Sequence, residues 1–198
     1  MSARSKPGRR SKAALAVLLA AVAGVAAYVL LERAPQTGKE RPPDAPVPRG
    51  SFRGEVVAVL DGDTVDVMHE GRAVRVRLAG IDCPEKRQPF GKRAKQRASQ
   101  LAFGNIVAVD VVDEDRYGRA IGSVTLPDGG RLDEIMIREG LAWWYRQYSK
   151  DERLGALEAE ARTARRGLWS EPSPVPPWEW RRERRGKAAK RREESAGD

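Results

Sequence analysis

The chain has one cysteine and one histidine among its 198 residues. A single cysteine excludes an intramolecular disulfide, so a folded domain must be held by its own hydrophobic core. A single histidine excludes a histidine-rich metal site, and it weakens an interpretation as a Ser/His/Asp hydrolase. Chemistry at a site of this chain therefore has to be sought among other residue types.

Positive charge is what the chain has in excess. There are 37 Lys and Arg residues against 28 Asp and Glu, which gives a formal net charge of +9 and a pI of about 10.0. Such a balance indicates an acidic partner, which is nucleic acid, anionic lipid or both. A basic soluble protein with neither partner would show the same composition. The length fits one globular domain with terminal segments.

The N-terminal segments predict a membrane anchor. Residues 1–12 carry five positive charges and no acid, and residues 13–31 are uncharged. A helix of 19 residues spans about 29 Å, close to the thickness of a bilayer core. The basic flank would stay in the cytoplasm, which predicts a single-pass inner-membrane protein whose domain lies outside the cytoplasm. A Pro-rich linker over 32–50 follows.

A cleaved signal peptide is the alternative to the anchor, and it would leave a secreted or periplasmic protein. Small residues at Ala21 and Ala23 offer a cleavage site. The apolar region of a signal peptide is shorter, about 7–15 residues, so the length favours the anchor.

The segment 51–171 predicts one α+β domain that is mainly β. Alternating apolar residues indicate a three-stranded meander, then a helix, two further strands and two more helices. That order suits a five-stranded OB-type Greek-key barrel with three helices. A generic α+β sheet is the alternative. The predicted strands are 56–60, 64–68, 74–78, 106–112 and 120–126, and the predicted helices are 90–103, 132–140 and 151–167.

The segment 172–198 combines a Pro-rich stretch, two tryptophans and a basic tail. We expect Trp178 and Trp180 to fold back onto the domain. From 181 to 192 there are eight basic residues and one acid. Such a run either binds phosphates or is a solvated stretch of charge.

The stretch RLAGIDCPE, residues 77–85, contains several candidate functional residues close together. It places Arg77 on a strand and two acids, Asp82 and Glu85, around a Cys-Pro dipeptide. Pro84 forces an extended conformation on Cys83, so both acids can be aimed at one point. Asp63, at the mouth of the neighbouring strand, would add a third carboxylate. Oxygen ligands without a His or Cys cluster suit a hard cation, Ca²⁺ or Mg²⁺.

A second arginine follows in DEDRYGRAIGSV, residues 113–124. Arg119 begins a predicted strand after a Tyr-Gly turn. Two arginines near a carboxylate cluster can clamp a phosphate, because each planar guanidinium matches two phosphate oxygens. A metal and two arginines stabilise charge on a phosphoryl group, and a free carboxylate can activate water. Each motif alone is weak evidence for such a site. The prediction rests on finding all of the motifs, in this order, at strand ends.

These motifs together resemble the staphylococcal nuclease (thermonuclease) family, in its bacterial membrane-anchored or exported form. The resemblance runs from about Glu55 to Trp169 through VLDGDTVDV, RVRLAGIDCPE, DRYGRAIGSV, LDEIMIREGLAWWY and RRGLWSEP. It implies an OB-type barrel with three helices and Ca²⁺-dependent hydrolysis of DNA and RNA. The tail PVPPWEWRR is also similar to that of such bacterial members.

The resemblance further implies roles for eight residues. It implies a carboxylate as general base and two arginines that stabilise the transition state: Glu85, Arg77 and Arg119. It implies two carboxylate ligands and one main-chain carbonyl for the cation, where Mg²⁺ or Mn²⁺ can replace Ca²⁺: Asp63, Asp82 and Cys83. It implies two substrate-binding tyrosines: Tyr117 and Tyr148.

Two other functions compete with a nuclease. A nuclease-like barrel can bind nucleic acid without cutting it, although every expected acid and arginine is present here. A membrane adaptor would use the basic tail on anionic lipid. The loop after Glu85, KRQPFGKRAKQRA, is shorter and more basic than the family pattern, which affects substrate affinity. We expect a monomer with nucleic acid and membrane as its partners.

Overall fold

The computed structural model describes the backbone of residues 46–196 and the side chains of residues 46–193. In this part of the chain there are seven strands, four α-helices and one 3-10 helix. The strands are β1 (Gly50–Val59), β2 (Thr64–His69), β3 (Arg72–Leu78), β4 (Ile81–Asp82), β5 (Ile106–Glu114), β6 (Ala120–Thr125) and β7 (Trp143–Trp144). The helices are α1 (Gly91–Ala102), α2 (Leu132–Arg138), α3 (Glu152–Thr163), the 3-10 helix (Gly167–Ser170) and α4 (Pro177–Ala196).

Five strands close into a barrel in the order β1-β2-β3-β6-β5. β3 and β6 run parallel, and the other neighbours, including β5 and β1, are antiparallel. Closure removes the unpaired strand edges that would otherwise invite association with another chain. The predicted meander and the barrel are confirmed, and the arrangement is consistent with an OB-type α+β fold.

The alternation in β3 decides which of its residues reach the core. Val74, Val76 and Leu78 are buried inside the barrel, whereas Arg75 and Arg77 lie on the outer face. The same period-2 pattern places Val65 and Val67 of β2 inside. One face of the sheet thus forms the core while the other presents arginines.

The three predicted helices are confirmed, but α2 ends two residues and α3 four residues before the predicted ends. α1 packs through the fully buried Ala94, Ala98 and Ala102, whose small side chains allow it to lie close to the barrel. α3 ends at Thr163, four residues before Gly167. Gly167 instead begins the 3-10 helix, because the chain must turn there with φ of +52°.

A short ribbon and a group of aromatic rings lie beside the barrel. β4 pairs with β7, so that Asp82 stands opposite Trp143. Trp143 makes edge contacts with Trp169, at 4.4 Å, and with Trp178, at 5.8 Å between ring centroids. Trp178 therefore folds back onto the domain, as the sequence predicts.

The long helix α4 is absent from the sequence prediction. Its 20 residues are strongly basic, and they lack the apolar stripe by which an amphipathic helix is recognised. Its first turn is held by the aromatic rings. Among residues 46–196 there is no helix both long and apolar enough to cross a membrane. The predicted anchor at 13–31 and its flank at 1–12 lie outside the described residues.

Gly140 offers a test of the packing between the end of α2 and the 3-10 helix. It has φ of +68°, and a Cβ there would lie 2.2 Å from the Arg166 carbonyl oxygen. We expect Gly140→Ala to lower the free energy of unfolding by about 2–4 kcal/mol, from left-handed strain plus overpacking. Urea denaturation measures the loss.

Gly129→Ala is the matched control for this substitution. Gly129 has φ of +86°, but a Cβ there would meet nothing within 4 Å. Gly129→Ala should lower the free energy of unfolding only by the cost of the left-handed backbone conformation, about 1–2 kcal/mol. Equal losses in the two variants would contradict the packing explanation.

Candidate active site

The turn between β1 and β2 positions the first acid of the site. The Asp63 amide donates to the Asp61 carboxylate at 3.1 Å, which shapes the turn, and Thr64 Oγ1 donates to Asp63 Oδ1 at 3.1 Å. Asp63 Oδ2 accepts the Cys83 amide at 2.7 Å, which ties the turn to the end of β4. Gly62 is needed here because a Cβ would lie 2.8 Å from Cys83 Sγ.

Arg77 joins the two buried acids. Its Nη1 lies 2.9 Å from Asp63 Oδ2, and its Nη2 lies 3.0 Å from Asp82 Oδ1. Burial alone would lower the pKa of Arg77, but the charges of Asp63 and Asp82 outweigh it and raise the pKa. The guanidinium is therefore charged at every physiological pH, and it matches both carboxylates with one planar fork.

Asp82 and Glu85 differ in their environments. Asp82 is 1% exposed, and burial raises its pKa, partly offset by the hydrogen bond from Arg181. Glu85 lies on the loop after β4 with its side chain about one-third exposed, and its amide donates to Gln88 Oε1 at 3.1 Å. Gly91 packs so close that a Cβ there would lie 1.9 Å from the Glu85 carbonyl oxygen. The loop is thus held at both ends.

Two further titratable groups lie in this cluster. Burial, together with the charge of Asp63, raises the pKa of Asp61 to about 7. Burial also raises the pKa of the Cys83 thiol well above its usual range. A thiol that stays protonated is a poor nucleophile, so Cys83 serves the site through its main chain.

Arg181 of α4 enters the cluster from the other end of the chain. Its Nη2 lies 2.7 Å from Asp82 Oδ2, and its Nη1 lies 2.8 Å from Glu85 Oε1. The sequence prediction placed this residue only in the basic tail. The signal that could have found it is its spacing: it follows Trp178 by three residues, and Trp178 was expected to fold back.

Arg119 pairs with an acid outside the cluster. It directly precedes β6 and lies two residues before Ile121, which pairs with Arg77. Its Nε and Nη2 both lie 2.7 Å from Asp115 Oδ2. Among the described contacts, Arg119 and Arg77 therefore share no partner.

The two predicted substrate-binding tyrosines are exposed on separate elements. Tyr117 is 69% exposed, and its ring lies 4.9 Å from the Arg116 guanidinium carbon and 5.7 Å from that of Arg119. Tyr148 is 71% exposed and packs edge-on against Tyr145 at 4.7 Å. Neither contacts the carboxylate cluster in the contacts that the structure describes.

A basic groove adjoins the loop that carries Glu85. It has a volume of about 810 Å³, and its walls carry four cationic side chains and one aromatic ring: Lys86, Arg87, Lys92, Arg93 and Phe90. A groove lined by several cations suits a chain of phosphates, because each phosphate contact releases a counterion. The lining begins at Lys86, the residue after Glu85.

The chemistry of the donor set fits a hard divalent cation. Asp61, Asp63, Asp82 and Glu85 supply four carboxylates, against the two guanidinium groups of Arg77 and Arg181. Such an excess of acidic oxygens is what Ca²⁺ and Mg²⁺ require. No three His, Cys, Asp or Glu side chains within 46–196 converge as a ready-made cation site. Guanidinium nitrogens contact the oxygens of Asp82 instead.

Comparison with known proteins places this site in a family. The family profile described as "Staphylococcal nuclease homologue" matches residues 75–171. A protein of Escherichia coli O157:H7 named "Uncharacterized endonuclease" is 48% identical over 136 residues, which cover 69% of this chain and 89% of that protein. A "Micrococcal nuclease" of Shigella flexneri is 49% identical over 141 residues, covering 66% and 81%.

A plant protein shares the domain alone. The "Staphylococcal-like nuclease CAN1" of Arabidopsis thaliana is 44% identical over 112 residues, 57% of this chain and 34% of that protein. The two bacterial relatives match this chain over most of their own length, whereas the plant relative matches over about a third of its own. The chain belongs to the staphylococcal nuclease family, and it is an enzyme of the nuclease class, a phosphodiester hydrolase.

The burial of Cys83 gives a direct test of how tightly the site is packed. The chain has one cysteine, so thiol labelling reports on a single position. We expect Ellman's reagent to label the native protein at least about a hundredfold more slowly than the urea-unfolded chain, because labelling must await opening of the buried site. Rapid labelling of the native protein would contradict the burial of the thiol and its raised pKa.

Proposed function

We propose that the protein is a Ca²⁺-dependent nuclease that hydrolyses DNA, RNA or both with little sequence specificity. The observation that carries this proposal is the fork of Arg77 between Asp63 and Asp82, with Glu85 three residues further on. A buried arginine held by two acids beside a partly exposed glutamate provides phosphate binding and proton transfer in one place. Membership of a nuclease family supports the same reading.

Asp63 and Asp82 are the residues that would hold the cation. Both are buried, and both present carboxylate oxygens to Arg77. The bound cation would act as a Lewis acid that neutralises and orients the scissile phosphate. The main-chain carbonyl of Cys83 stays a predicted third ligand. Mg²⁺ or Mn²⁺ would use the same oxygens, and the size of the site would select among the three.

Glu85 is the proposed general base. Unlike Asp82 it is partly exposed, so water can reach its carboxylate. It would take a proton from the attacking water as the bond to phosphorus forms. The attack places additional charge on the phosphoryl oxygens, which Arg77 would stabilise with the donors that its contacts to Asp63 and Asp82 leave available.

Arg119 would supply the second guanidinium to the phosphate. Its neighbour Asp115 holds it through the Nε edge and one terminal nitrogen. To reach a phosphate, it must leave this partner or turn its remaining donors toward the substrate. Tyr117 and Tyr148 are exposed rings, and exposed rings suit stacking with bases that are not read by sequence.

A non-catalytic nucleic-acid-binding module is the alternative function. The basic groove would serve such a module equally well. The presence of both acids, the base and both arginines favours the enzyme, because binding phosphates requires none of the acids. Phosphate-based binding in either case explains a low sequence preference.

We also propose that the domain works outside the cytoplasm. The support is the sequence of residues 1–31, a basic flank followed by 19 uncharged residues. An anchor would keep the nuclease at the inner membrane, and a cleaved signal would release it. Monomeric action is expected in both cases.

Replacement of the general base tests the mechanism. We expect Glu85→Gln to lower kcat by about 10²–10⁴-fold, because the amide cannot accept the proton. Hydrolysis of single-stranded DNA, duplex DNA and RNA would be followed in Ca²⁺, Mg²⁺ or EDTA. Oligonucleotide affinity should remain close to that of the wild type.

Glu70→Gln is the matched control for Glu85→Gln. Glu70 is exposed at the β2–β3 turn, so the same loss of charge there should leave turnover unchanged. Undiminished turnover in Glu85→Gln would remove Glu85 from the mechanism. Wild-type binding without cleavage in any of the metals would establish the binding module instead.

The basic groove predicts a salt-dependent affinity. We expect Lys92→Gln to weaken single-stranded DNA binding and to lower the slope of log K against log[salt] by about 0.7, one phosphate contact. Fluorescence anisotropy at several salt concentrations measures both. Arg53→Gln, which removes an exposed charge on β1 outside the groove, should leave the slope unchanged. Identical slopes for Lys92→Gln and wild type would exclude Lys92 from the substrate path.

A further inference from the structure

The guanidinium of Arg181 bridges two of the proposed functional carboxylates. Nη2 lies 2.7 Å from Asp82 Oδ2, and Nη1 lies 2.8 Å from Glu85 Oε1 and 3.3 Å from Asp82 Oδ1. The contacts join residues 96 and 99 positions apart in the chain. Both oxygens of Asp82 are therefore engaged by this one side chain.

The segment before Arg181 is anchored at several points. Trp178 stacks on Tyr145, with ring centroids 5.1 Å apart and planes inclined by 2°. Gln88, on the loop that follows Glu85, donates Nε2 to the Val175 carbonyl at 2.5 Å. Pro177, the first residue of α4, is buried. The position of Arg181 is thus built by packing, unlike that of an isolated surface ion pair.

Helix geometry then directs Arg181 to the site. Residues three apart on an α-helix share a face, so docking of Trp178 places Arg181 on the side that faces the domain. The side chains that follow, from 182 to 193, are all exposed. Arg181 is consequently the only one of the cationic side chains of α4 described here that is partly buried.

A cation on Asp82 would need the same oxygens that Arg181 contacts. Asp82 is 1% exposed, and Arg77 already contacts its Oδ1. A hard divalent cation binds through those lone pairs, and it repels a guanidinium at contact distance. The guanidinium and the cation carry like charges, so at contact distance around Asp82 Oδ2 each weakens the binding of the other.

We propose that Arg181 is a positioning residue of the active site, a tethered cation that holds Asp82 and Glu85 together and competes with the divalent cation for Asp82. This inference rests on the proposed function, because it takes Asp82 as a metal ligand. The C-terminal helix thereby sets the metal concentration at which the enzyme acts. Withdrawal of the guanidinium would release Oε1 of Glu85 together with Asp82.

Metal affinity tests the proposal without relying on turnover. Ca²⁺ alone would be titrated calorimetrically into the full-length chain at 0.15 M salt. We expect Arg181→Gln to bind Ca²⁺ at least about tenfold more tightly than wild type. A gain of this size follows if the conformation that can bind the cation makes up about a tenth or less of the wild-type molecules and nearly all of the variant molecules. Arg181→Lys, which keeps the charge, should restore much of the weaker wild-type affinity.

Arg185→Gln is the matched control, because removal of any positive charge attracts cations. Arg185 lies one helical turn further along α4 and is exposed. Its effect on Ca²⁺ affinity should be small, since exposed charges are screened over about 8 Å at this salt concentration. Equal gains in Arg181→Gln and Arg185→Gln would overturn the proposal, and so would no gain in Arg181→Gln.

A second variant keeps the test independent of the charge itself. Trp178→Leu removes the stack on Tyr145 but retains Arg181. Because the helix is then held less firmly, Arg181 should contact Asp82 less of the time, and we expect tighter Ca²⁺ binding. Weaker or unchanged binding in this variant would contradict the tether. If neither wild type nor Arg181→Gln binds Ca²⁺, Mg²⁺ or Mn²⁺, the metal site of the proposed function fails, and the competition fails with it.

Discussion

The fork of Arg77 between Asp63 and Asp82 is the interaction on which the site depends. A buried guanidinium needs compensating charge, and removal of one partner from such a pair costs about 3–5 kcal/mol because it leaves a charge uncompensated. The fork also requires three segments to meet in one geometry: the β1–β2 turn, the outer face of β3 and the end of β4. Any shift of register in the barrel would separate them. The same ion cluster that constrains the fold is the one that, in the proposed function, would meet a phosphate.

Close backbone packing keeps that geometry in place. Gly62 allows the turn to approach Cys83, and Gly91 allows α1 to begin directly against the carbonyl of Glu85. A side chain at either position would have to move a part of the site. Around this rigid centre the polar contacts are looser. Arg119 is held by Asp115 on the surface, and the rings of Tyr117 and Tyr148 are exposed, so the substrate contacts proposed for them would not require the barrel to unfold.

The C-terminal segment extends the site beyond the stretch that the family profile matches. That stretch ends at residue 171, whereas Trp178 and Arg181 lie beyond it. The aromatic contacts of Trp178 with Trp143 and Tyr145 link the helix to β7 and the segment after it, and β7 pairs with β4, which carries Asp82. Through Arg181 the basic tail is thereby connected to Asp82 and Glu85, the carboxylates to which the proposed function assigns metal binding and proton transfer. Its remaining cations start at the site and extend along a helix of about 30 Å.

The sequence by itself determined the barrel strands, the three helices of the domain and the cluster of Asp63, Arg77, Asp82 and Glu85. These follow from local periodicity and from motifs at strand ends, because alternation along a strand decides which side chains leave the core. It also indicated that Trp178 folds back. Only the tertiary structure decided the helical state of residues 177–196, the contact of Arg181 with Asp82 and Glu85, and the pairing of Arg119 with Asp115. The helix of residues 177–196 lacks the apolar stripe by which a sequence pattern could reveal it. The Arg181 contacts join residues nearly a hundred positions apart, and whether such residues meet depends on how the whole domain packs. Whether Arg119 pairs with Asp115 or with another group depends on distances that no local sequence pattern encodes.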